Sequence, residues 1–340
     1  MQPISWLGLL SLPLKANSRP SQAQSLLQVG GCEAPLGELA GDEAARPAQG
    51  ERLTEAQIQE FWQKHPCGET LVGGLRGEGD TDLERFFQEY DNYRYDEQPQ
   101  MLTILDRIGL REKRVLEIGL GEGSDSEQIV RRGAHWSGLD LTEESVKRVR
   151  KRLELRGLPY QELKRGTALN LPFSSNSFDI VFSHGVLHHI PDIDRAQREI
   201  ARVLKPNGEL IAMLYAKWSL NYLLSIALLR RLGLVAMYYG GINAGGKLGG
   251  HLEHPRRCGL WNYLRLKNFI HANTDGPENP YSKVYDLREV RRVFTEFKLT
   301  KSYKASMHAP PLPGPLTHAL PGESVLGWHL WVHLRPRKSA

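Results

Sequence analysis

One short segment limits most strongly what this chain can fold into. Residues 115–123 form an apolar run that ends in Glu117, followed by three glycines at alternate positions, and an amphipathic helix pattern begins at Ser124. A short β-branched and apolar run is typical of a buried parallel strand. Alternate glycines let the backbone approach a ligand where a Cβ would collide, and the helix start presents free N–H groups. The segment therefore predicts an α/β fold with a ligand at a strand end.

The glycine spacing argues against a dinucleotide. A dinucleotide site needs G-x-G-x-x-G, and the slot for the third glycine is filled by Ser124 in one register and Ser126 in the other. Glu117 at the strand end would repel a pyrophosphate, whereas it suits a ligand with a cationic group. An NAD-dependent oxidoreductase is therefore the weakest of the alternative functions.

The rest of the core alternates between strand and helix patterns, which predicts a parallel sheet with helices on both faces and a ligand near the switch point. The predicted strands are 114–118, 135–140, 160–165, 178–183, 208–215, 298–305 and 327–335, and the predicted helices are 124–132, 143–156, 192–204 and 286–297. Asp140 ends the second strand. A carboxylate there can accept hydrogen bonds from both hydroxyls of a ribose, or it can cap the next helix.

Three motifs resemble one family. The pattern E-x-G-x-G-x-G at 117–123 resembles motif I of the class I S-adenosylmethionine (SAM)-dependent methyltransferases, and residues 176–192 and 204–210 are similar to segments of its type 11 subfamily, which includes ubiquinone/menaquinone C-methyltransferase-like proteins. The resemblance implies a Rossmann-like seven-stranded sheet, SAM as cofactor and methyltransferase activity. The expected division is a disordered or loosely attached leader at 1–50, an N-terminal helical extension or lid at 51–110, a SAM-binding core at 111–216, a helical cap insertion at 217–285 and the last helix and two strands at 286–340.

The resemblance also implies the site residues. The cofactor should be held by Glu117, Gly119, Gly121, Gly123, Asp140, Thr167, Ala168, Ser183 and His184. In the family an Asp binds the adenine amino group at the position of Thr167, whose hydroxyl can accept one hydrogen bond without charge assistance. His188 and His189 are the candidate catalytic residues. One of them could be a general base, or both could line the pocket, since methyl transfer often needs little beyond alignment.

Two flanking segments have open interpretations. The aromatic and basic segment 86–95 packs on the core as an amphipathic helix, or forms a lid with a Tyr or Arg that reaches the ligand. Residues 218–239 are rich in Leu, Ile, Met and Tyr and are interrupted by Arg230 and Arg231, so we do not expect them to cross a bilayer unaided. A cap over the acceptor is the favoured interpretation, and a membrane-surface helix is the alternative.

Composition sets the expected partners. With 44 basic and 39 acidic residues the net charge is +5, and no dense basic module indicates a nucleic-acid partner. Three scattered cysteines predict no disulfide framework, so we expect a cytoplasmic location. His251, His254 and Cys258 lack an evident fourth ligand, so no metal is expected. The expected substrate is a small-molecule methyl acceptor, lipophilic or aromatic by analogy. The alternatives are a non-catalytic SAM-binding partner protein and an RNA methyltransferase.

Overall fold

The computed structural model describes residues 54–65, 79–241 and 246–337. The predicted leader at 1–50 lies outside these residues. The described residues all belong to one compact unit, which does not divide at the boundaries proposed from the sequence. Those boundaries therefore stay predictions.

A mixed sheet forms the centre of the protein. Its strands are β1 (Arg114–Ile118), β2 (His135–Asp140), β3 (Glu162–Arg165), β4 (Phe178–His184), β5 (Leu204–Ala216), β6 (Val284–Tyr285), β7 (Phe297–Ala305) and β8 (His329–Pro336). Seven strands follow the order β3-β2-β1-β4-β5-β8-β7, and the two-residue strand β6 pairs with β5. Strands β1 to β5 pair in parallel, whereas β8 is antiparallel to both β5 and β7. The predicted seven-stranded, Rossmann-like class I methyltransferase sheet is confirmed.

The chain reverses its direction of travel across the sheet between β1 and β4. From β1 it steps outward to β2 and β3, and then it crosses back to β4 and β5 on the other side. The connections that leave β1 and β4 therefore diverge and open a crevice at the carboxyl ends of the strands, which is where ligands bind in open α/β sheets.

Helices cover both faces of the sheet. Those before and within the core are α1 (Glu55–Lys64), α2 (Asp80–Glu97), α3 (Gln100–Asp106), α4 (Ser124–Arg131), α5 (Glu143–Leu155) and α6 (Ile193–Val203). The later ones are α7 (Arg230–Tyr239), α8 (Gly246–Cys258), α9 (Leu260–Tyr263), α10 (Leu266–Ala272), α11 (Leu287–Val293), α12 (Gly314–His318) and α13 (Glu323–Leu326). Because neighbouring strand residues face opposite sides, Val115 joins one apolar core with α3, α4 and α5, and Leu116 joins the other with α6 and α11.

Most element boundaries agree with the sequence patterns, and two differ. The helix predicted at 286–297 is only Leu287–Val293. A capping box between Asp286 and Glu289 begins it, and the chain must leave the helix early because Phe297 already pairs in β7. Strand β5 begins at Leu204 instead of 208, with a register shift in its pairing to β4.

A buried guanidinium fixes helix α2 to the core. Arg152 of α5 is fully buried, and its Nε donates to Glu127 of α4 over 2.8 Å. Its other nitrogens donate to the carbonyl oxygen of Glu122 and to the carboxylate of Asp91 on α2, and its guanidinium lies over the ring of Phe87. One side chain thus joins α2, α4, α5 and the loop after β1.

An apolar helix stands out in the insertion between β5 and β6. A π-helical segment at Asn221–Leu229 continues directly into α7, and this helix is long and apolar enough to cross a membrane by length and composition. Only 28% of its most apolar window is buried. Its exposed residues include Leu223, Leu228, Leu232 and Tyr239, while Ile226, Leu234 and Met237 pack inward.

Removing the buried guanidinium should destabilise the fold. We expect Arg152→Met to lower the free energy of unfolding by about 3–5 kcal/mol, because the carboxylates of Asp91 and Glu127 lose a buried partner. Arg150→Met, at an exposed position of the same helix, is the matched control and should change stability by less than about 0.5 kcal/mol. Urea unfolding of both variants measures the difference. Equal stability of the two variants would contradict the anchoring role.

Candidate functional site

A cavity of about 240 Å³ opens at the carboxyl ends of β1, β2, β3 and β4. Helices α1 and α2 contribute Glu55, Ile58, Trp62, Tyr90 and Arg94 to its walls, and the core contributes the segments 118–122, 124–125, 139–142, 166–169, 184–186 and 189–192 together with Ser145. The cavity therefore lies at the switch point of the sheet and is closed by the N-terminal helices. Of the predicted site residues, those that line it are Gly119, Gly121, Asp140, Thr167, Ala168, His184 and His189.

The first glycine of the motif is required by its backbone and by its neighbour. Gly119 has φ +82°, and a Cβ there would lie 2.1 Å from a methyl group of Val186. A side chain at this position would therefore be strained and would collide with the opposite wall. The absence of a side chain lets the loops after β1 and β4 approach each other and leaves a narrow floor for the cavity.

Asp140 lies at the end of β2, as predicted, with its carboxylate held in a fixed position. One oxygen accepts from the backbone N–H of Leu120 over 2.7 Å, and the other accepts from both the N–H and the hydroxyl of Thr142 over 2.8 Å. Burial raises the pKa of Asp140, although these hydrogen bonds oppose that effect. A carboxylate has about four lone-pair sites, so these three bonds leave at most one site for a hydroxyl donor of a ligand in the cavity.

A charged cluster forms the opposite end of the cavity. Arg94 of α2 donates to Oδ2 of Asp125 over 2.5 Å, and Nδ1 of His184 lies 2.7 Å from the same oxygen. Burial would raise the pKa of Asp125, but the charges of Arg94 and His184 outweigh it and hold this pKa well below its usual range. Burial lowers the pKa of His184, although the carboxylate of Asp125 opposes this effect.

Two buried atoms of this cluster have no hydrogen-bond partner among the described residues. They are Oδ1 of Asp125, an anionic acceptor, and Nε of Arg94, a cationic donor. Unpaired buried polar atoms are rare in folded proteins and need an explanation. An acceptor and a donor of opposite charge, side by side at a cavity wall, match the ammonium and carboxylate groups of an α-amino acid.

Four predicted site residues do not line the cavity. Glu117 accepts a hydrogen bond from the indole of Trp136 over 2.8 Å, and burial together with the charge of Asp125 raises its pKa to about 8. Its carboxyl group is thus largely neutral at pH 7, and the cation-binding role expected of it fits Asp125 better. Gly123 packs against Val149 and Arg152 of α5, and the Ser183 hydroxyl donates to the carbonyl oxygen of Ile118. His188 is the fourth.

The two predicted catalytic histidines lie in different places relative to the cavity. His188 is fully buried behind the wall, with its ring 3.8 Å from that of Tyr215, and burial holds its pKa well below the ordinary value. His189 lines the cavity, but its Nδ1 donates to the carbonyl oxygen of Tyr281 over 2.7 Å, and its buried Nε2 lies 3.4 Å from Asp275. His189 thus forms part of the cavity wall, and a catalytic role for either histidine stays a prediction.

Thr167 has a partner that the sequence did not indicate. Its hydroxyl donates to the carboxylate of Glu55 on α1 and accepts from the N–H of Leu169 over 3.1 Å. The hydroxyl is therefore occupied on both sides, which leaves it poorly placed as the acceptor for an adenine that the sequence proposed. A carboxylate stands beside it, carried by a helix more than a hundred positions earlier in the chain.

The insertion does not form the cavity wall. None of the described residues in 217–285 lines the cavity, so the predicted cap over the acceptor is not what closes it; Ile58 and Trp62 of α1 do so. Instead the end of the insertion holds His189 from behind through Tyr281 and Asp275. Among the described residues no group of His, Cys, Asp and Glu is arranged to hold a metal ion.

Comparisons with known proteins indicate a family for the core of the chain. Residues 116–212 match the family model for a methyltransferase domain. Over 139 residues the chain is 34% identical to a phthiotriol/phenolphthiotriol dimycocerosates methyltransferase of Mycobacterium leprae, covering 35% of this chain and 50% of that protein. It is 34% identical over 137 residues to a fatty-acid O-methyltransferase of Mycolicibacterium smegmatis, covering 34% and 49%. The chain thus spans about half the length of these relatives or less.

A solved structure gives a more distant likeness. The crystal structure of a SAM-dependent methyltransferase from Aquifex aeolicus aligns with a TM-score of 0.42 and 14% identity, covering 77% of this chain and all of that one. A likeness at this level supports no statement about the present site.

The raised pKa of Glu117 should make stability depend on pH. The folded protein holds a proton on this carboxyl up to about pH 8, whereas the unfolded chain releases it near pH 4.5. The folded state therefore binds more protons between these values, and this contribution to stability falls as pH rises from about 4.5 to 8. Glu117→Gln should remove that slope. Urea unfolding of wild type and variant at pH 5 and pH 8 measures it, and parallel pH dependences would contradict the assignment.

Proposed function

We propose that this chain, which carries a class I SAM-dependent methyltransferase domain over residues 116–212, transfers the methyl group of SAM to a small lipophilic acceptor. The observation that carries the proposal is the arrangement of the cavity. It has a fixed carboxylate at Asp140, an opposite-charge pair at Asp125 and Arg94, and an apolar wall between the core and α1.

The residues present fit the cofactor. Asp140 would accept from a ribose hydroxyl, and the backbone at Gly119 and Gly121 leaves room for the chain that links ribose and amino acid. The unpaired Oδ1 of Asp125 would accept from the ammonium group, and the unpaired Nε of Arg94 would donate to the carboxylate. When bound, SAM supplies an electrophilic methyl group on a sulfonium.

The acceptor side of the cavity is apolar. Its wall is formed by Ile58, Trp62, Val186, Ile190 and Pro191, and the ring of Trp62 meets that of His189 edge to face at 5.0 Å. Such a wall excludes water and favours an apolar or aromatic acceptor. Two of the relatives are named for methyl transfer to a lipid and to a fatty acid, which agrees with this class of acceptor.

The chain's contribution to the reaction is alignment. We assign proton removal to no residue of the described chain and expect the rate enhancement to come from holding donor and acceptor together in a dry site. The two alternative functions, a non-catalytic SAM-binding protein and an RNA methyltransferase, are not favoured by the relatives, which are methyltransferases of small molecules.

The amino-acid end of the site can be tested separately from the nucleoside end. We expect Asp125→Asn to weaken binding of S-adenosylhomocysteine roughly ten- to hundredfold, because a charge-assisted hydrogen bond is lost. Binding of methylthioadenosine, which lacks the amino acid, should stay unchanged. Asp140→Asn should weaken the binding of both ligands. Isothermal titration calorimetry gives all the affinities, and absence of binding of any of these ligands to folded wild-type protein would overturn the proposed function.

We also propose a cytoplasmic protein that contacts a membrane surface through the helix at 221–239. The exposed face of this helix carries Leu223, Leu228 and Leu232, with Trp218 exposed before its start and Tyr239 at its end. Aromatic residues at both ends of an apolar stripe suit the interface between lipid and water. Residues 218–252 contain no acidic residue, so no carboxylate of this segment would repel an anionic surface. A lipophilic acceptor could then be collected from the lipid.

Vesicle binding tests this contact. We expect the protein to co-sediment with vesicles of phosphatidylcholine and phosphatidylglycerol, and Leu228→Glu with Leu232→Glu to reduce the bound fraction at least severalfold through loss of apolar contact and added repulsion. Gln88→Glu with Gln161→Glu, at two exposed positions elsewhere, is the control, since it adds the same charge. Equal loss in both double variants, or no binding by wild type, would contradict the proposed contact.

A further inference from the structure

The end of the cavity where the nucleobase of the cofactor would lie has a carboxylate of its own, that of Glu55. The loop after β3 begins beside Asp140, because Asp140 pairs with Arg165 and the N–H of Gly166 donates to the carbonyl oxygen of Asp140 over 2.8 Å. A base attached to a ribose at Asp140 would therefore lie against residues 167–169. Leu141, Ala168 and Leu169 supply apolar surface there, and Glu55 closes the end of this slot.

Glu55 differs from the other carboxylates of the cavity in its partner. Two of the others are paired with a cation, Glu122 with Arg148 and Asp125 with Arg94. The remaining two accept from backbone: Asp140 from two N–H groups, and Asp192 from the N–H of Arg195 in α6. The partner found for Glu55 is the neutral hydroxyl of Thr167. That bond occupies one lone pair, so the carboxylate keeps most of its capacity to accept.

Helix α1 is built to hold this carboxylate at the cavity. A capping box between Thr54 and Gln57 begins the helix, which places Glu55 in its first turn. Glu55, Ile58 and Trp62 lie on one face, three and four positions apart, and all three line the cavity. Ile58 is buried, so the helix position is fixed by apolar packing and not by the acid itself.

We propose that Glu55 is the acceptor for the exocyclic amino group of the cofactor's adenine, so that the N-terminal helix completes the binding site of the core. This inference rests on the proposed function. Thr167 then has a positioning role, since its hydroxyl links the Leu169 N–H to the Glu55 carboxylate. An amino donor would be bound by a charged acceptor, whereas a carbonyl oxygen at the same place would be repelled.

Base preference gives a direct test. S-inosylhomocysteine carries a carbonyl oxygen in place of the adenine amino group and a proton on the neighbouring ring nitrogen N1, and the rest of the molecule is the same as S-adenosylhomocysteine. We expect wild type to prefer the adenine form by roughly tenfold or more, and Glu55→Gln to reduce the ratio to near one, because an amide can donate as well as accept. Glu60→Gln, on the exposed side of the same helix and paired with Lys64, should keep the wild-type ratio.

A second variant separates recognition from support of the helix. Thr167→Asp in the Glu55→Gln background places a carboxylate on the core side of the slot and should restore the preference for adenine. An unchanged ratio in Glu55→Gln, or an equal loss of affinity for both ligands, would overturn the assignment of Glu55. Wild-type binding of both ligands without preference would overturn this inference alone, whereas binding of neither would also overturn the proposed function.

Discussion

The guanidinium of Arg152 is the contact on which the arrangement of the site depends. It is buried among the carboxylates of Asp91 and Glu127 and the carbonyl oxygen of Glu122. Asp91 also accepts from the hydroxyl of Ser124 over 2.5 Å, at the start of α4. Helix α2 is thereby held against the glycine loop. Arg94 lies one turn after Asp91, so the same contact brings it within reach of Asp125.

Two acids near this contact, Asp125 and Glu117, differ in charge as a result. The cation of Arg94 keeps Asp125 ionised despite its burial, and it does so only while α2 is seated on the core. Glu117 lies on the other side of Asp125 and holds a proton instead, since a second buried anion has no cation of its own. Two acids eight positions apart thus differ in protonation because one of them faces an arginine from another helix.

The sequence was sufficient for the sheet and for the parts of the site that lie within one strand-loop-helix unit. Gly119 and Asp140 follow from local rules, since a tight loop and a strand end can be identified from neighbours in the chain. The role of Asp125 could not be identified in this way, because its cation comes from α2, thirty-one positions earlier. The surroundings of Glu117 could not be identified for a related reason, because an acid at a strand end can face the cavity or pack inside the fold, and here it accepts from the indole of Trp136 on β2.

The two histidines illustrate a different limit. A His-His pair after a strand end is consistent with a base, but the residues that contact His189, Tyr281 and Asp275, lie at the end of an insertion whose path the pattern of residues does not give. Spacing shows where a side chain starts along the chain, whereas the occupancy of each ring nitrogen depends on distant segments. The apolar helix of the insertion was anticipated as a cap, although none of its residues lines the cavity.

Because Glu55, Trp62 and Arg94 all precede the first strand, the boundary of the family match at residue 116 divides the site in two. The matched segment carries the loops after the strands, and the helices α1 and α2 before it carry Glu55, Trp62 and Arg94, which line the same cavity. The two parts can therefore diverge at different rates. A lineage could exchange the helices before the core and acquire a different nucleobase preference or acceptor while its motif residues stayed the same. Sequence similarity in the core alone would then not reveal the change.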